Sequence, residues 1–537
     1  MPLNPLAGAT RLLRRSADES LSVAALLASG ALGAQLPHRY LRALRGLYSY
    51  GTYGLLVAAG AQLHGEATAL VDEQASLTFR ELDEHSNALA NAWLAAGVAS
   101  GDGIGILCRN HRWLFVSLAA AAKVGARTLL LNTDFAPAAL RDVCVREDVA
   151  LLVHDAEFAG AVRGIEPRFG CVIAWGTESA VADAVAGGDR SAPHRPAAQS
   201  RLVLLTSGTT GTPKGAPRDL AMSLVAPGGF LSKIPFRTRR NAFVAAPVFH
   251  AWGLLSSSMA LAVGDTVIVR RRFDPVVTLD AIAEHRCDVL AMVPVMLSRL
   301  LALGADEIAL RDTSALRIIC LSGSAVAPDL VARTREVFGD VLYNLYGSTE
   351  VSFATIATPD DLREEPACVG RAPFGVTVRL FDAHGRPVRP GEVGRIFVGS
   401  GFQSTGYTGG GGKEVIDGLL SSGDVGHFDR HGRLFIDGRD DDMIISGGEN
   451  VFPAEIEHLL GSHEGIVEAA VIGVADPEFG QRLRAYVVAS PGSRLDEDAV
   501  RTFVRDNLAR HKVPREVVFA DALPRNPTGK VLKRELP

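Results

Sequence analysis

Apolar and polar positions along the chain fall into three regimes. Residues 1 to about 65 carry helical periodicity and read as a helical N-terminal extension. From Ala67 onward, short apolar runs alternate with amphipathic segments. Thr78 precedes Phe79-Arg-Glu-Leu82 and is placed to cap a helix. Gly103-Ile-Gly-Ile-Leu-Cys108 and Arg127-Thr-Leu-Leu-Leu131 read as buried strands on either side of a helix over 113–122. The same kind of strand recurs at 149–153, 287–291 and 316–321. Strands alternating with helices imply βαβ units and parallel sheet. After about Thr377 the pattern changes to a β-meander over 378–398, with turns at Asp382-Ala-His-Gly385 and Asp429-Arg-His-Gly432. A last section has its own helix near Pro453 and strands at 467–472 and 485–489. The expected fold is α/β: a large N-terminal domain of parallel-sheet βα layers with a β-meander or barrel subdomain, then a small mobile α+β C-terminal domain. The expected boundaries are 1–65, 66–438 and 439–537.

Composition narrows the function classes. At 537 residues the chain exceeds what one core organises. Its 47% hydrophobic and 21% charged content is that of an ordinary globular protein. A net charge of -5 gives no reason to expect a nucleic-acid partner. The six cysteines form no CxxC pair and several lie in apolar runs, so buried thiols in a reducing compartment are expected. Arg11, Arg14 and Arg15 precede an apolar run over 21–36, but Asp18 and Glu19 between them break a signal-peptide layout. That run is short for a membrane span and contains Gly30 and Gly33. A helix packed in the core or lying on a membrane surface fits it; the expected location is cytoplasmic, with peripheral contact at the inner membrane as the alternative.

The strongest local feature is Leu202-Val-Leu-Leu-Thr-Ser-Gly-Thr-Thr-Gly-Thr-Pro-Lys-Gly215. An apolar strand runs into small and hydroxyl residues that end in a lysine. Glycines allow close backbone approach to an anion, hydroxyls add donors, and Lys214 adds a charge. Pro213 before Lys214 and Gly215 after it exclude a Walker A loop. Thr206 to Gly215 resembles the phosphate loop of the adenylate-forming superfamily, which includes acyl-CoA synthetases, luciferases and peptide-synthetase adenylation domains. The resemblance covers the chain from about residue 60 onward.

Further motifs follow in that family's order, and their roles are those the resemblance implies. Thr206, Ser207, Gly208, Thr209, Thr210, Gly211 and Lys214 would bind phosphate. Ala246-Pro-Val-Phe-His-Ala-Trp-Gly253 is similar to the segment beside the acyl pocket, with His250 near the carboxylate. It holds no acidic residue, which disfavours an amino-acid substrate. Gly323 and Ser324, in Leu321-Ser-Gly-Ser-Ala325, would pack against adenine. In Asn344-Leu-Tyr-Gly-Ser-Thr-Glu350, Asn344 would meet the base edge, Tyr346 would stack on it beside Gly347, Thr349 would bond phosphate, and Glu350 would hold Mg²⁺. Asp424 would bind the ribose hydroxyls, and Arg439 would also reach the ribose or phosphate. Asp441 takes the hinge position, and Gly447 and Gly448 would line a pantetheine tunnel. Lys530, in Pro524-Arg-Asn-Pro-Thr-Gly-Lys530, would be the catalytic lysine. The chain departs from the family at Ile445, where many members carry lysine, and at Gly418-Leu-Leu420, where many carry an aromatic residue.

The resemblance implies an ATP-dependent acid–CoA ligase using ATP, Mg²⁺ and coenzyme A. It would form an acyl-adenylate with Thr206, Glu350, His250 and Lys530 as catalytic residues, then swing its C-terminal domain and transfer the acyl group. A medium- or long-chain fatty acid is the expected substrate. An aromatic acid, transfer to a carrier protein, and a non-catalytic lipid-binding relative are the alternatives. Oligomeric state stays open.

Overall fold

The computed structural model describes residues 5–33, 37–206, 214–218, 223–401, 403, 406–408, 410–440, 444–446, 449–476, 480–526 and 530–537. Two α/β sheets form its main body. The eight-stranded sheet runs in the order Ser352–Ala357, Leu342–Ser348, Ile318–Leu321, Val289–Met292, Asn241–Val244, Thr266–Ile268, Thr68–Val71, Ser76–Thr78. The six-stranded sheet runs Cys171–Trp175, Val149–Asp155, Gly103–Leu107, Arg127–Leu130, Arg201–Thr206, Lys214–Arg218. Inner strands pair in parallel, and the strands at 103–107, 149–155, 289–292 and 318–321 are buried along their whole length. That is what helices on both faces demand, and it is why these segments read as unbroken apolar runs.

Local chemistry sets the helix ends. Thr78 caps Phe79–Ala95 in a full capping box with Glu81. Arg112–Val124 is slightly longer at both ends than its periodicity suggested. The Nζ of Lys123, fully buried on this helix, donates to Asp83 Oδ1 at 2.6 Å, Ser86 Oγ at 2.7 Å and Asn87 Oδ1 at 2.7 Å. These bonds tie the two helices together.

Thr377–Phe381, Gly394–Gly399, Leu419–Phe428 and Leu434–Arg439 form the antiparallel meander. Past residue 443, the strands Ile444–Ser446, Glu449–Val451, Ile466–Asp476, Gly480–Ala489 and Glu516–Phe519 build a separate sheet. Helices Pro453–Gly461 and Glu497–Asn507 close a separate core over it.

The N-terminal extension is packed onto the main body. Its first helix, α1 (Pro5–Ser29), lies on the Val225–Lys233 helix. There Glu19 accepts bonds from Ser223 Oγ at 2.8 Å and from the Leu224 amide at 3.2 Å. The second, α2 (Pro37–Leu63), bends at Gly51, where φ is 71°. It covers the Phe79–Ala95, Arg112–Val124 and Ala251–Val263 helices. Among the described residues no helix is long and apolar enough to cross a membrane. Five cysteines are buried as expected, but Cys171 is exposed, because its strand is the outermost of the six-stranded sheet.

Candidate active site

A cavity of about 2840 Å³ lies where the sheets, the meander and the C-terminal sheet meet. One small-molecule site occupies only about 300–1,000 Å³, so this space is large enough for more than one ligand. Its walls include His250, Gly323, Ser324, Asn344, Tyr346, Gly347, Thr349, Glu350, Asp424, Arg439 and Lys530, residues far apart in sequence.

The strand Leu342–Ser348 carries Asn344 and Tyr346 to the cavity edge. Its pairing with Ser352–Ala357 shifts register between Tyr346 and Gly347. A Cβ at position 347 would stand 1.9 Å from the Ser352 carbonyl oxygen, so only glycine fits this approach. The turn beyond it presents Glu350. Ser348 Oγ donates to Glu350 Oε2 at 2.9 Å, and the Tyr407 hydroxyl donates to Oε1 at 2.8 Å. Burial and the facing Glu350 carboxylate push the Tyr407 phenol pKa upward. The next residue, Thr408, donates through its hydroxyl to Glu147 Oε1 at 2.6 Å and through its amide to Gly215 O at 2.8 Å.

Asp424 lies on Leu419–Phe428, opposite Arg439 in the antiparallel register. Its Oδ2 accepts from the Tyr346 hydroxyl at 2.6 Å, and its Oδ1 is 3.3 Å from Arg439 Nη1. Burial, then the neighbouring Asp424, holds the Tyr346 phenol well above its ordinary pKa, so it stays a donor.

His250 immediately precedes the Ala251–Val263 helix. Burial lowers its pKa to about 4, so the ring is neutral at neutral pH. Its Nε2 is enclosed without a hydrogen-bond partner among the described residues. Asn110 holds the preceding segment: its Nδ2 donates to Ala246 O at 3.0 Å, and its Oδ1 accepts from the Val248 amide at 2.9 Å. The Trp252 indole donates to Met292 O at 3.0 Å and locks the start of the helix to the central sheet.

Lys530 comes from the C-terminal sheet side. Its amide donates to Asn526 Oδ1 at 2.9 Å, the Asn526 amide donates to Lys530 O at 2.9 Å, and Arg525 pairs with Val531. This hairpin presents an exposed Lys530 on the cavity wall. The strand pair Arg201–Thr206 and Lys214–Arg218 brings Thr206 opposite Lys214, at the base of the expected phosphate loop. Ser207, Gly208, Thr209, Thr210, Gly211, Asp441, Gly447 and Gly448 lie outside the described residues, as do the side chains of Thr206 and Lys214.

Sequence reasoning passed over Tyr407, Thr408 and Asn110. The first two sit among glycines in Gly406-Tyr-Thr-Gly409, where the one available signal was an aromatic residue inside a glycine-rich loop. Asn110 carried no signal, since its partners lie 136 and 138 positions away.

The cavity is bounded by the large α/β body on one side and by the small C-terminal domain with Lys530 on the other. Residues 57–408 match the model of AMP-binding enzymes, and 455–530 match that of the AMP-binding enzyme C-terminal domain. A feruloyl-CoA synthase of Amycolatopsis sp is 34% identical, over 89% of this chain and 96% of its own. An indoleacetate–CoA ligase of Aromatoleum aromaticum is 32% identical over 89% and 96%. The crystal structure of ATP-bound MatB from Rhodopseudomonas palustris aligns with a TM-score of 0.80 at 28% identity, over 89% of this chain and 97% of that one. The chain belongs to the AMP-binding enzyme family and is an ATP-dependent acid–CoA ligase.

Proposed function

We propose that the protein activates an aromatic carboxylic acid as its acyl-adenylate and transfers the acyl group to coenzyme A. The cavity shared by the His250 segment, the Asn344–Glu350 turn, Asp424 and Lys530 supports the ligase chemistry, and the relatives named for aromatic acids support the substrate class. In the first half-reaction a carboxylate oxygen attacks the α-phosphorus of ATP and pyrophosphate leaves. In the second the CoA sulfur attacks the acyl carbon, AMP leaves, and the thiol proton passes to solvent. Neither step needs a protein nucleophile.

Asp424, held between Tyr346 and Arg439, would accept the ribose hydroxyls, and Asn344 and the Tyr346 ring would take the base. Lys530 would neutralise charge as the carboxylate meets the phosphate. The neutral His250 would offer the carboxylate a hydrogen bond through its open Nε2 without the cost of burying a second charge. Magnesium arrives with ATP. The Glu350 carboxylate suits it, since each oxygen accepts one hydroxyl bond and keeps a further acceptor site. Thr206, Ser207, Gly208, Thr209, Thr210, Gly211, Thr349 and Lys214 would cradle the phosphates. Rotation about Asp441 would bring Gly447 and Gly448 to the thiol arm.

The relatives favour the aromatic alternative over the medium- or long-chain fatty acid expected from sequence, although a fatty acid–[acyl-carrier-protein] ligase of Streptomyces coeruleorubidus is also 31% identical. Two relatives of similar identity, each matched over nearly its full length, are named for ferulate and indoleacetate. The test is mass spectrometry of products from enzyme, MgATP and a panel of aromatic and fatty acids, with and without CoA. Acyl-AMP from aromatic acids that becomes acyl-CoA on adding CoA is the expected result. Activation of fatty acids alone overturns the substrate class, and acyl-AMP that persists despite CoA overturns the acceptor.

A further inference from the structure

The cavity extends beyond His250 to the N-terminal extension, where α2 contributes Tyr53. Tyr53 precedes the segment that matches the AMP-binding enzyme model, which begins at residue 57. Its hydroxyl oxygen is shielded from solvent and has no hydrogen-bond partner among the described residues. Tyr50, one turn earlier, is satisfied: its hydroxyl donates to Pro193 O at 2.6 Å. An enclosed O–H without an acceptor is uncommon in native proteins and points to a partner that arrives from outside the chain.

The surroundings say what kind of partner. Leu26 of α1, Leu32 just beyond its end, Leu56 of α2, Leu118, and Leu255 and Met259 of the Ala251–Val263 helix are apolar members of the same cavity wall. Tyr53 thus sets an unpartnered hydroxyl beside apolar side chains in a cavity that also holds the unpartnered Nδ1 of His64, an arrangement that orients a largely apolar ligand. The position of α2 is fixed. His64 near its C-terminus packs against Gly264, where an added Cβ would fall 2.3 Å from the imidazole, and Gly264 ends the helix that His250 begins.

Building on the acid–CoA ligase reading, we propose that the Tyr53 hydroxyl recognises a hydrogen-bonding substituent, a ring hydroxyl or ring carbonyl, at the end of the acid remote from its carboxyl group. The N-terminal extension is then a wall of the acid site and a determinant of specificity.

The test compares 4-hydroxycinnamate with cinnamate, measuring kcat/KM for AMP release with CoA in the full-length wild type and in Tyr53→Phe. The variant keeps the ring and its packing and loses only the hydroxyl. The wild-type preference for the hydroxylated acid should fall about tenfold in the variant, chiefly through KM, with KM for ATP unchanged in both. An equal preference ratio in the two proteins overturns the subsite and leaves the ligase function standing. A wild type that turns over neither acid overturns the aromatic-acid reading and the subsite with it.

Discussion

Replacing Tyr346 with phenylalanine isolates what one hydroxyl does for nucleotide binding. Phenylalanine keeps the ring, so the proposed stacking on adenine would survive. The lost bond is the 2.6 Å donation to Asp424 Oδ2. Hydrogen bonds to a charged group are worth about 1.5–3 kcal/mol. Ser422 cannot take over, because its hydroxyl proton goes to Ile396 O at 3.1 Å while its oxygen accepts the Asp424 amide at 3.1 Å. Asp424 is then left to swing toward Arg439, 3.3 Å from its other oxygen, and away from the position proposed for the ribose. At about 1.4 kcal/mol per tenfold, KM for ATP should rise about 10- to 100-fold while KM for the acid stays level. ATP–pyrophosphate exchange at saturating acid measures both constants. A double-mutant cycle with Asp424→Asn should show strong non-additivity. An unchanged KM for ATP, or additive effects of the two substitutions, would refute the idea that Tyr346 acts by orienting Asp424.

Other expectations follow from the geometry. Lys530→Ala should slow acyl-adenylate formation by at least about 100-fold, yet leave thioester formation from synthetic acyl-adenylate near the wild-type rate; rapid-quench assays of the two half-reactions separate these. Because burial holds the His250 pKa at about 4 against 6.5 in the unfolded chain, the unfolded chain takes a proton first as pH falls through that window. Stability should therefore drop by about 3 kcal/mol between pH 6.5 and 4, and His250→Asn should flatten that part of the urea-midpoint profile. Lys123→Met should cost about 3–5 kcal/mol in denaturant unfolding, because it strips Asp83 of its buried ammonium partner.

Much of the architecture was legible because parallel strands buried on both faces have no polar positions to hide them. The runs at 103–107 and 318–321 show this most clearly. The capping box at Thr78 and Glu81 was equally plain, since both partners lie within one turn. Asn344, Tyr346, Asp424 and Arg439 could each be singled out by motif. The bonds that join Tyr346, Asp424 and Arg439 could not, because those depend on the antiparallel register and on how the meander docks against the main sheet. Tyr407 escaped for the same reason: its meaning comes from Glu350, 57 positions away. The extension was legible as helix, but its contact with the Ala251–Val263 helix had no periodic signal. Acid identity was the least legible feature, because apolar lining suits aliphatic and aromatic groups alike.

Arg439, described above as the partner of Asp424, is also the last residue of its strand. The following Asp440 is fastened on both sides: its amide donates to Gly423 O at 3.0 Å, and its carboxylate accepts from Arg395 Nε at 2.9 Å. The tether that leads to the C-terminal sheet is thus rooted in the turn that is to hold the sugar. By thermodynamic reciprocity, a sugar that pulls on this root in one orientation of the small domain must bind more tightly in that orientation, and the orientation must be favoured by the same factor. On the proposed rotation, release of AMP and the return of the small domain would be two readings of one coupling energy, and a substitution at Arg439 should move them together.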